Sequence, residues 1–324
     1  MRTARTFCRY WGVVLLVVLL GCRSRELHDT ITIIPRNTAE AFSVTEHAGA
    51  AEAARKLHVH LYWNGPSSDS NVEQQIALMG LAINMGTMGI IVNPNSTFAS
   101  NTAIQRAVSH GIPVVILGAN VPLAPSRNLS FVLDDVQGTG ELIATRLKTI
   151  LSGKGEISLL GVDPMYAGSI ERARAIESSL ERVAPSIHIV DEPAGAFSFG
   201  QTEQDAEDMI RTHPGISAIV ALNVMASRAA VAAVRATHRV GSIRIIGCDQ
   251  GLDLFFLLRH GVLDSIVVQN MRAMGALAVA NIVAQRHGDA VKDVTCFPPM
   301  LVTRRDIDDE NVQKMLMMDW RPKP

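Results

Sequence analysis

From Thr30 onward, short apolar runs alternate with stretches whose apolar residues recur every three or four positions. "ITIIP", "HVHLYW", "GIIVNP" and "PVVILG" are runs of the first kind. Most are continuous Val/Ile/Leu segments, the pattern of strands covered on both faces in a parallel sheet. Phe42–Leu57, Val72–Met85 and Thr102–Ser109 lie between them and read as helices. Gly and Pro stand where the chain must turn, as in "SHGIPVV" and "LSGKGEISLL". The same signals then begin again. "LSFVLDD", "EISLLGV", "IHIVDEP", "SAIVALN", "IRIIGCD" and "SIVVQN" read as strands, with helices at Val136–Leu151 and Ser169–Ala184 among those between them. In the last of these helices Ile170, Ala173, Ile176, Leu180 and Val183 fall on one stripe.

Two βα series in succession predict an α/β fold of two Rossmann-like lobes, each a doubly wound parallel sheet. The length agrees, because 324 residues exceed what one hydrophobic core usually serves. Ligands of such sheets bind beyond the C-terminal ends of the strands, so the polar residues there are the candidates for chemistry. In the second series, three strands end in turn on Asn223, Asp249 and Gln269. Asn and Gln donate and accept, and an ionised Asp accepts through two oxygens, which suits adjacent hydroxyls. Asn and Asp at a strand end also cap the next helix, so for Asn223 and Asp249 both roles stay open. Gln269 is a poor cap and points more directly to a ligand. Asp134 and Asp135 stand just before the helix at Val136 and read as its caps.

Two further residues are out of place for ordinary packing. Arg172 falls in the first turn of its expected helix, where the macrodipole disfavours a cation. Either it pairs with an acid such as Glu171 at the surface, or it donates into a cleft. Phe197 sits in the polar loop "AGAFSFG", as an anchor on the core or as a ring that faces a ligand.

The N-terminus changes the picture of where the protein works. "MRTARTFCRY" carries three arginines and no acid, and "WGVVLLVVLLGC" is apolar up to Cys22. That run is too short to span a bilayer and reads as a signal peptide over residues 1–21. Its end, Leu19-Leu20-Gly21-Cys22, resembles the lipobox of bacterial lipoproteins, which implies a diacylglycerol on the Cys22 thiol and a polar tether over 22–29. Buried acyl methylenes hold such a protein to a membrane at about 0.8 kcal/mol each. Charge is balanced, 30 basic against 31 acidic residues, so nothing points to nucleic acid. Cys248 and Cys296 end predicted strands far apart in sequence and read as buried small hydrophobes, with a disulfide left open.

Enzyme chemistry finds no support. "GTGELI" and "SGKGE" lack the spacing of a dinucleotide fingerprint or a P-loop, and no G-x-S-x-G or H-E-x-x-H occurs. His58 and His60 alternate on one face of an expected strand without a further ligand nearby, so no metal is assigned. No cofactor is expected.

These positions, from Thr30 to about Asp308, resemble the type I periplasmic sugar-binding proteins of ABC importers, in the ribose-binding branch. Arg172 falls on that family's ligand-binding Arg and Phe197 on a ring that packs against the sugar. Asn223, Asp249 and Gln269 fall on its three strand-end hydrogen-bonders. In "PRNTAEAF" Phe42 falls on a stacking aromatic, with Asn37 as a polar contact, and "NPNST" supplies Asn95. One departure stands out: "PVVILG" runs into Gly118-Ala119 where the family usually places an Asp.

The resemblance implies a three-crossover hinge, with one lobe over 30–132 plus 270–297 and the other over 133–269 plus 298–324. It implies a monomeric, extracytoplasmic lipoprotein whose partners are a sugar or polyol and ABC permease subunits. Two alternatives share the lobes. One is a receptor lipoprotein that serves a sensor kinase. The other is a lactose-repressor-type sensor, which requires a DNA-binding helix-turn-helix in front if the start is misassigned.

Overall fold

The computed structural model describes residues 29–195 and 198–316. The leader, Cys22 and Phe197 therefore lie outside the described residues. The chain forms two sheets of six strands each. The first contains β1 (Thr30–Ile34), β2 (His60–Trp63), β3 (Gly89–Val92), β4 (Val114–Gly118), β5 (Leu129–Asp134) and, much later, β11 (Val294–Phe297), in the order β11-β5-β4-β3-β1-β2. The second contains β6 (Lys154–Leu160), β7 (Ser186–Asp191), β8 (Ile216–Ala221), β9 (Arg244–Cys248), β10 (Ser265–Val268) and β12 (Met300–Thr303), in the order β12-β10-β9-β8-β6-β7. Every pairing is parallel except β10 with β12. The chain thus crosses between sheets three times: after β5, after β10 and between β11 and β12.

The apolar runs explain the layout. β1, β3 and β4 are buried along their whole length, as parallel strands sandwiched by helices must be. The edge strands β2 and β11 alternate exposed and half-buried residues instead. The helices are α1 (Ala41–Leu57), α2 (Val72–Asn84), α3 (Asn101–Ser109), α4 (Val136–Ile150), α5 (Ala167–Val183), α6 (Phe199–Thr212), α7 (Val224–Ala236), α8 (Leu252–Arg259), α9 (Met271–His287) and α10 (Glu310–Leu316). Among the described residues none is long and apolar enough to cross a membrane. His58 ends α1 in the left-handed region and lies outside β2, so the expected pair of histidines on one strand face does not form; both are exposed.

Two close helix contacts set the positions that matter for the site. A Cβ on Gly49 of α1 would come within 1.9 Å of the Arg272 carbonyl of α9. A Cβ on Gly140 of α4 would come within 2.3 Å of the Ala175 carbonyl of α5. Only Gly permits either approach. The first contact fixes α1, which carries Phe42, against the helix that follows β10. The second fixes α5, which carries Arg172, against the helix that follows β5.

Both sheets reverse their strand order next to the first strand of the series, at β1/β3 and at β6/β8. A crevice opens beyond the strand ends at such a switch point. The loops after β1, β3, β6 and β8 border one cleft between the lobes, as the lining residues below show.

Candidate functional site

The second lobe builds its wall from strand ends. β9 runs buried up to Cys248 and releases Asp249 into the cleft with φ +65°, in the left-handed region. Asp tolerates that region better than most side chains, yet such a residue stores strain and often marks a site. The next helix, α8, is capped by Gly251, without a side-chain bond, so the cap role considered for Asp249 is not the one it plays. Its carboxylate instead faces two guanidinium groups. Arg172 Nη2 lies 3.2 Å from Oδ1, and Arg36 Nη1 lies 3.9 Å from Oδ2.

Arg172 is 6 % exposed, which rules out the surface pair with Glu171. α5 begins at Ala167, two residues earlier than expected, so Arg172 belongs to its second turn rather than its first. The guanidinium donates to the Leu222 carbonyl at the end of β8 and reaches Asp134 at 3.6 Å. Burial works against its charge, but Asp249, Cys248 and Asp134 more than offset this, and its pKa is raised.

Asp134 is a correction to the cap reading. Only Asp135 caps α4, accepting from the Gly138 N–H at 2.9 Å. Asp134 turns to the cleft, where burial pushes its carboxyl up to about 7, with Asp249 adding to the shift and Arg172 and Arg36 opposing it. It is the second carboxylate of the site. At the end of β4, Gly118 has φ +83° and abuts the Asn93 amide, so that strand end contributes no acid. Gln269 closes this wall. Asn270 takes the cap of α9, which frees Gln269, and its Nε2 lies 3.4 Å from Thr139 Oγ1. Its Oε1, like Oδ1 of Asp134 and of Asn93 and both polar atoms of Gln250, is buried without a hydrogen-bond partner among the described residues. Asn223 caps α7 through its oxygen, at 2.8 Å from the Ala226 N–H, and also lines the outer cleft.

The first lobe builds its wall from loops. Asn37 Oδ1 accepts from the Ala39 and Glu40 N–H groups at 2.9 and 2.8 Å, and its amide donates to Asp69. Asn95 donates to the Arg36 carbonyl at 2.9 Å. Both line the cleft, but most of their bonding capacity holds the loop. Phe42 faces the cleft from the start of α1. Arg36, directly after Pro35, also donates to Asp69. Its guanidinium carbon lies 5.1 Å from the Phe42 ring centroid and 4.8 Å from that of Tyr166, so a ring from each lobe flanks it.

Residues of the two lobes meet elsewhere at the cleft. Arg228 of α7 donates to both Glu40 oxygens, at 2.7 and 3.2 Å, and to both Asp253 oxygens, at 2.7 and 2.9 Å. The Thr97 N–H donates to the Met165 carbonyl at 3.2 Å. The structure therefore brings Arg172, Asp249, Gln269 and Phe42 together at the inner end and Asn37, Asn95 and Asn223 around the outer part. Arg36, Tyr166 and Gln250 join them without having been picked out beforehand, and so does Asp134, which the sequence suggests only as a cap. The free thiols are apart, Cys248 buried in the second sheet and Cys296 exposed in the first. Burial pushes the Cys248 thiol up to about 12, so it is inert. Among the described residues no group of three or more His, Cys, Asp or Glu is placed to hold a metal ion.

Two parallel-sheet lobes around one polar cleft match a described family. The model for the periplasmic binding protein domain covers residues 31–290. The chain belongs to the periplasmic binding protein family. Among relatives of this periplasmic binding protein, a D-ribose/D-allose-binding protein of Pseudomonas aeruginosa is 24 % identical over 238 residues, 71 % of this chain and 74 % of that one. A xylitol-binding protein of Mycolicibacterium smegmatis is 25 % identical over 258 residues, 79 % of this chain and 72 % of that one. The fold also matches the crystal structure of an ABC transporter solute-binding protein from Agrobacterium vitis bound with alpha-D-tagatopyranose. The TM-score is 0.82 at 19 % identity, covering 88 % of this chain and 98 % of that one.

Proposed function

We propose that this periplasmic binding protein captures a neutral sugar or polyol between its lobes and delivers it to the permease of an ABC importer. The observation that carries the reading is the pairing of charge inside the cleft. Each guanidinium already has a carboxylate: Arg36 has Asp69, and Arg172 has Asp249 with Asp134 beside it. Among the described residues an anionic ligand finds neither guanidinium without a carboxylate. What remains unclaimed among the described residues are the acceptors Asp134 Oδ1, Gln269 Oε1 and Asn93 Oδ1, together with the Gln250 amide and one donor, Arg172 Nε. Hydroxyl groups satisfy acceptors of this kind, and Phe42 and Tyr166 offer apolar faces to ring C–H bonds. The names of the relatives, which bind ribose, allose, xylitol and tagatose, support the same class.

A ligand that touches both walls stabilises the closed arrangement, so capture and closure are one step. In this reading residues 30–132 with 270–297 and residues 133–269 with 298–324 are the two jaws. Cleavage before Cys22 and lipidation of its thiol tether the protein at the membrane, outside the cytoplasm.

The test is a thermal-shift screen with D-ribose, D-allose, xylitol and myo-inositol, followed by calorimetry of wild type and Asp249→Ala. At 100 times its dissociation constant a true ligand adds about 2.7 kcal/mol of stability. Silence across the whole panel rejects the polyol reading. Unchanged affinity in Asp249→Ala removes that carboxylate from the site.

A further inference from the structure

Arg36 divides the cleft. The inner compartment, between Arg36 and the strand ends that carry Asp134, Asp249 and Gln269, amounts to about 20 Å³. A space of that size has room for about one water molecule. Outside Arg36 the cleft opens to about 530 Å³. Arg36, Phe42, Tyr166 and Asp249 line both parts and form the wall between them. The groups that ask for hydroxyl donors thus lie behind a side chain that leaves no room for a sugar ring.

The surroundings of that side chain are those a polyol requires. Its flat guanidinium is flanked by one ring from each lobe, Phe42 and Tyr166. It donates to Asp69 in its own lobe and faces Asp249 in the other at 3.9 Å. A guanidinium and a pyranose both present polar groups at the edge and a face that packs on an aromatic ring. We infer that Arg36 is an intramolecular competitor for the ligand's place, and that its side chain must leave the slot between the two rings before a sugar reaches the inner strand ends. The inference rests on the polyol reading of the cleft. It makes Arg36 a determinant of specificity: only a ligand that replaces the ring contacts, the donor to Asp69 and the charge facing Asp249 displaces it.

The experiment compares wild type, Arg36→Ala and Arg36→Met by titration calorimetry against D-ribose, D-allose, xylitol and myo-inositol. Arg36→Ala empties the slot and is expected to bind about tenfold tighter, the equivalent of one competing charge-assisted contact. Arg36→Met refills the slot with a long unbranched chain and binds no tighter than wild type. Weaker or equal binding by Arg36→Ala overturns the inference and makes Arg36 a ligand contact or a bystander. Equal gains in Ala and Met assign the effect to charge and overturn it as well. If only Arg36→Ala binds, the inference stands in its strongest form. If none of the three proteins binds any of the four, the polyol reading falls and takes the inference with it. A crystal structure of the wild-type complex gives a check that needs no variant: the guanidinium lies outside the two rings, and finding it still between them beside bound sugar overturns the inference.

Discussion

The two lobes share a topology but present their chemistry differently. The second lobe offers strand ends: Asp249 after β9, Gln269 after β10, and Arg172 locked against Leu222 and Asp249. Its charges are buried and paired. The first lobe offers loop residues that hold one another, Asn37 on Asp69 and Asn95 on the Arg36 carbonyl. Behind them it keeps a buried carboxyl, Glu46, whose only hydrogen-bond partner among the described residues is the Asn93 amide, at 3.4 Å. Cleft chemistry fixed on strand ends is rigid and costly to disturb. Chemistry on a fastened loop is easier to change, and it is there that this chain places Arg36. In the proposed reading one lobe sets the class of ligand and the other sets which member of the class enters.

The largest effect expected from this contrast belongs to Arg172→Met. The variant keeps much of the side-chain volume and leaves Asp249 and Asp134 in the cleft without their nearest cation. Removing one partner of a buried pair costs about 3–5 kcal/mol, because the other charge stays buried. A urea titration at pH 8 therefore shows that loss, and ligand binding goes with it. A loss below 1 kcal/mol would mean that the second lobe's wall is no more rigid than the first's.

The same contrast decides what could be read from sequence. A strand that is a continuous apolar run has a visible end, so Asn223, Asp249 and Gln269 were legible as cleft residues. Arg172 stands out in the sequence as a first-turn cation, although the helix starts two residues earlier and places it in the second turn. The loops carry no period. Arg36 is one residue beyond Pro35 at the end of β1, a place the strand-end rule covers, yet it reads as ordinary loop polarity. Asp134 was hidden by its neighbour: two acids precede a helix, one caps it, and only the pleat of β5 turns the other to the cleft. Tyr166, in "DPMYAG", has no pattern around it at all. The left-handed backbone at Asp249 also leaves no trace, because Asp occupies that region without a Gly to announce it.

The second expected effect probes the unpaired carboxyl of the first lobe. Burial pushes Glu46 up to about 7, against the Asn93 hydrogen bond and the Arg36 charge. Its ordinary value is near 4.5. A folded-state pKa above the unfolded one means that the folded form holds the proton more tightly. That stability is present in full below pH 4.5 and is lost as pH rises through 7. At about 1.4 kcal/mol per pKa unit, the loss is of the order of 3 kcal/mol. Glu46→Gln carries the neutral form's shape at every pH. Relative to wild type it gains stability between pH 4.5 and pH 8, by up to that amount, in urea titrations at the two values. A flat difference across this range means that the Arg36 charge and the Asn93 hydrogen bond cancel the effect of burial on Glu46.

The smallest effect tests the contact between the lobes. Arg228 joins Glu40 of the first lobe to Asp253 of the second, with two hydrogen bonds on each side. All three side chains touch solvent, and exposed pairs contribute about 0.2–1 kcal/mol each. The bond to Glu40 spans the lobes, so separating them breaks it. Arg228→Ala is therefore expected to leave the urea midpoint nearly unchanged while weakening ligand binding by a factor of about 2–5. The Glu40 bond contributes to closure and not to either lobe's own fold. Salt screens contacts of this kind, so the wild-type advantage shrinks between 0.05 and 0.5 M NaCl as the Debye length falls. Calorimetry at the two ionic strengths separates the outcomes. An advantage that ignores salt indicates that Arg228 acts through packing at the cleft mouth, and equal affinities at both strengths indicate that closure is held by the rings and strand ends alone.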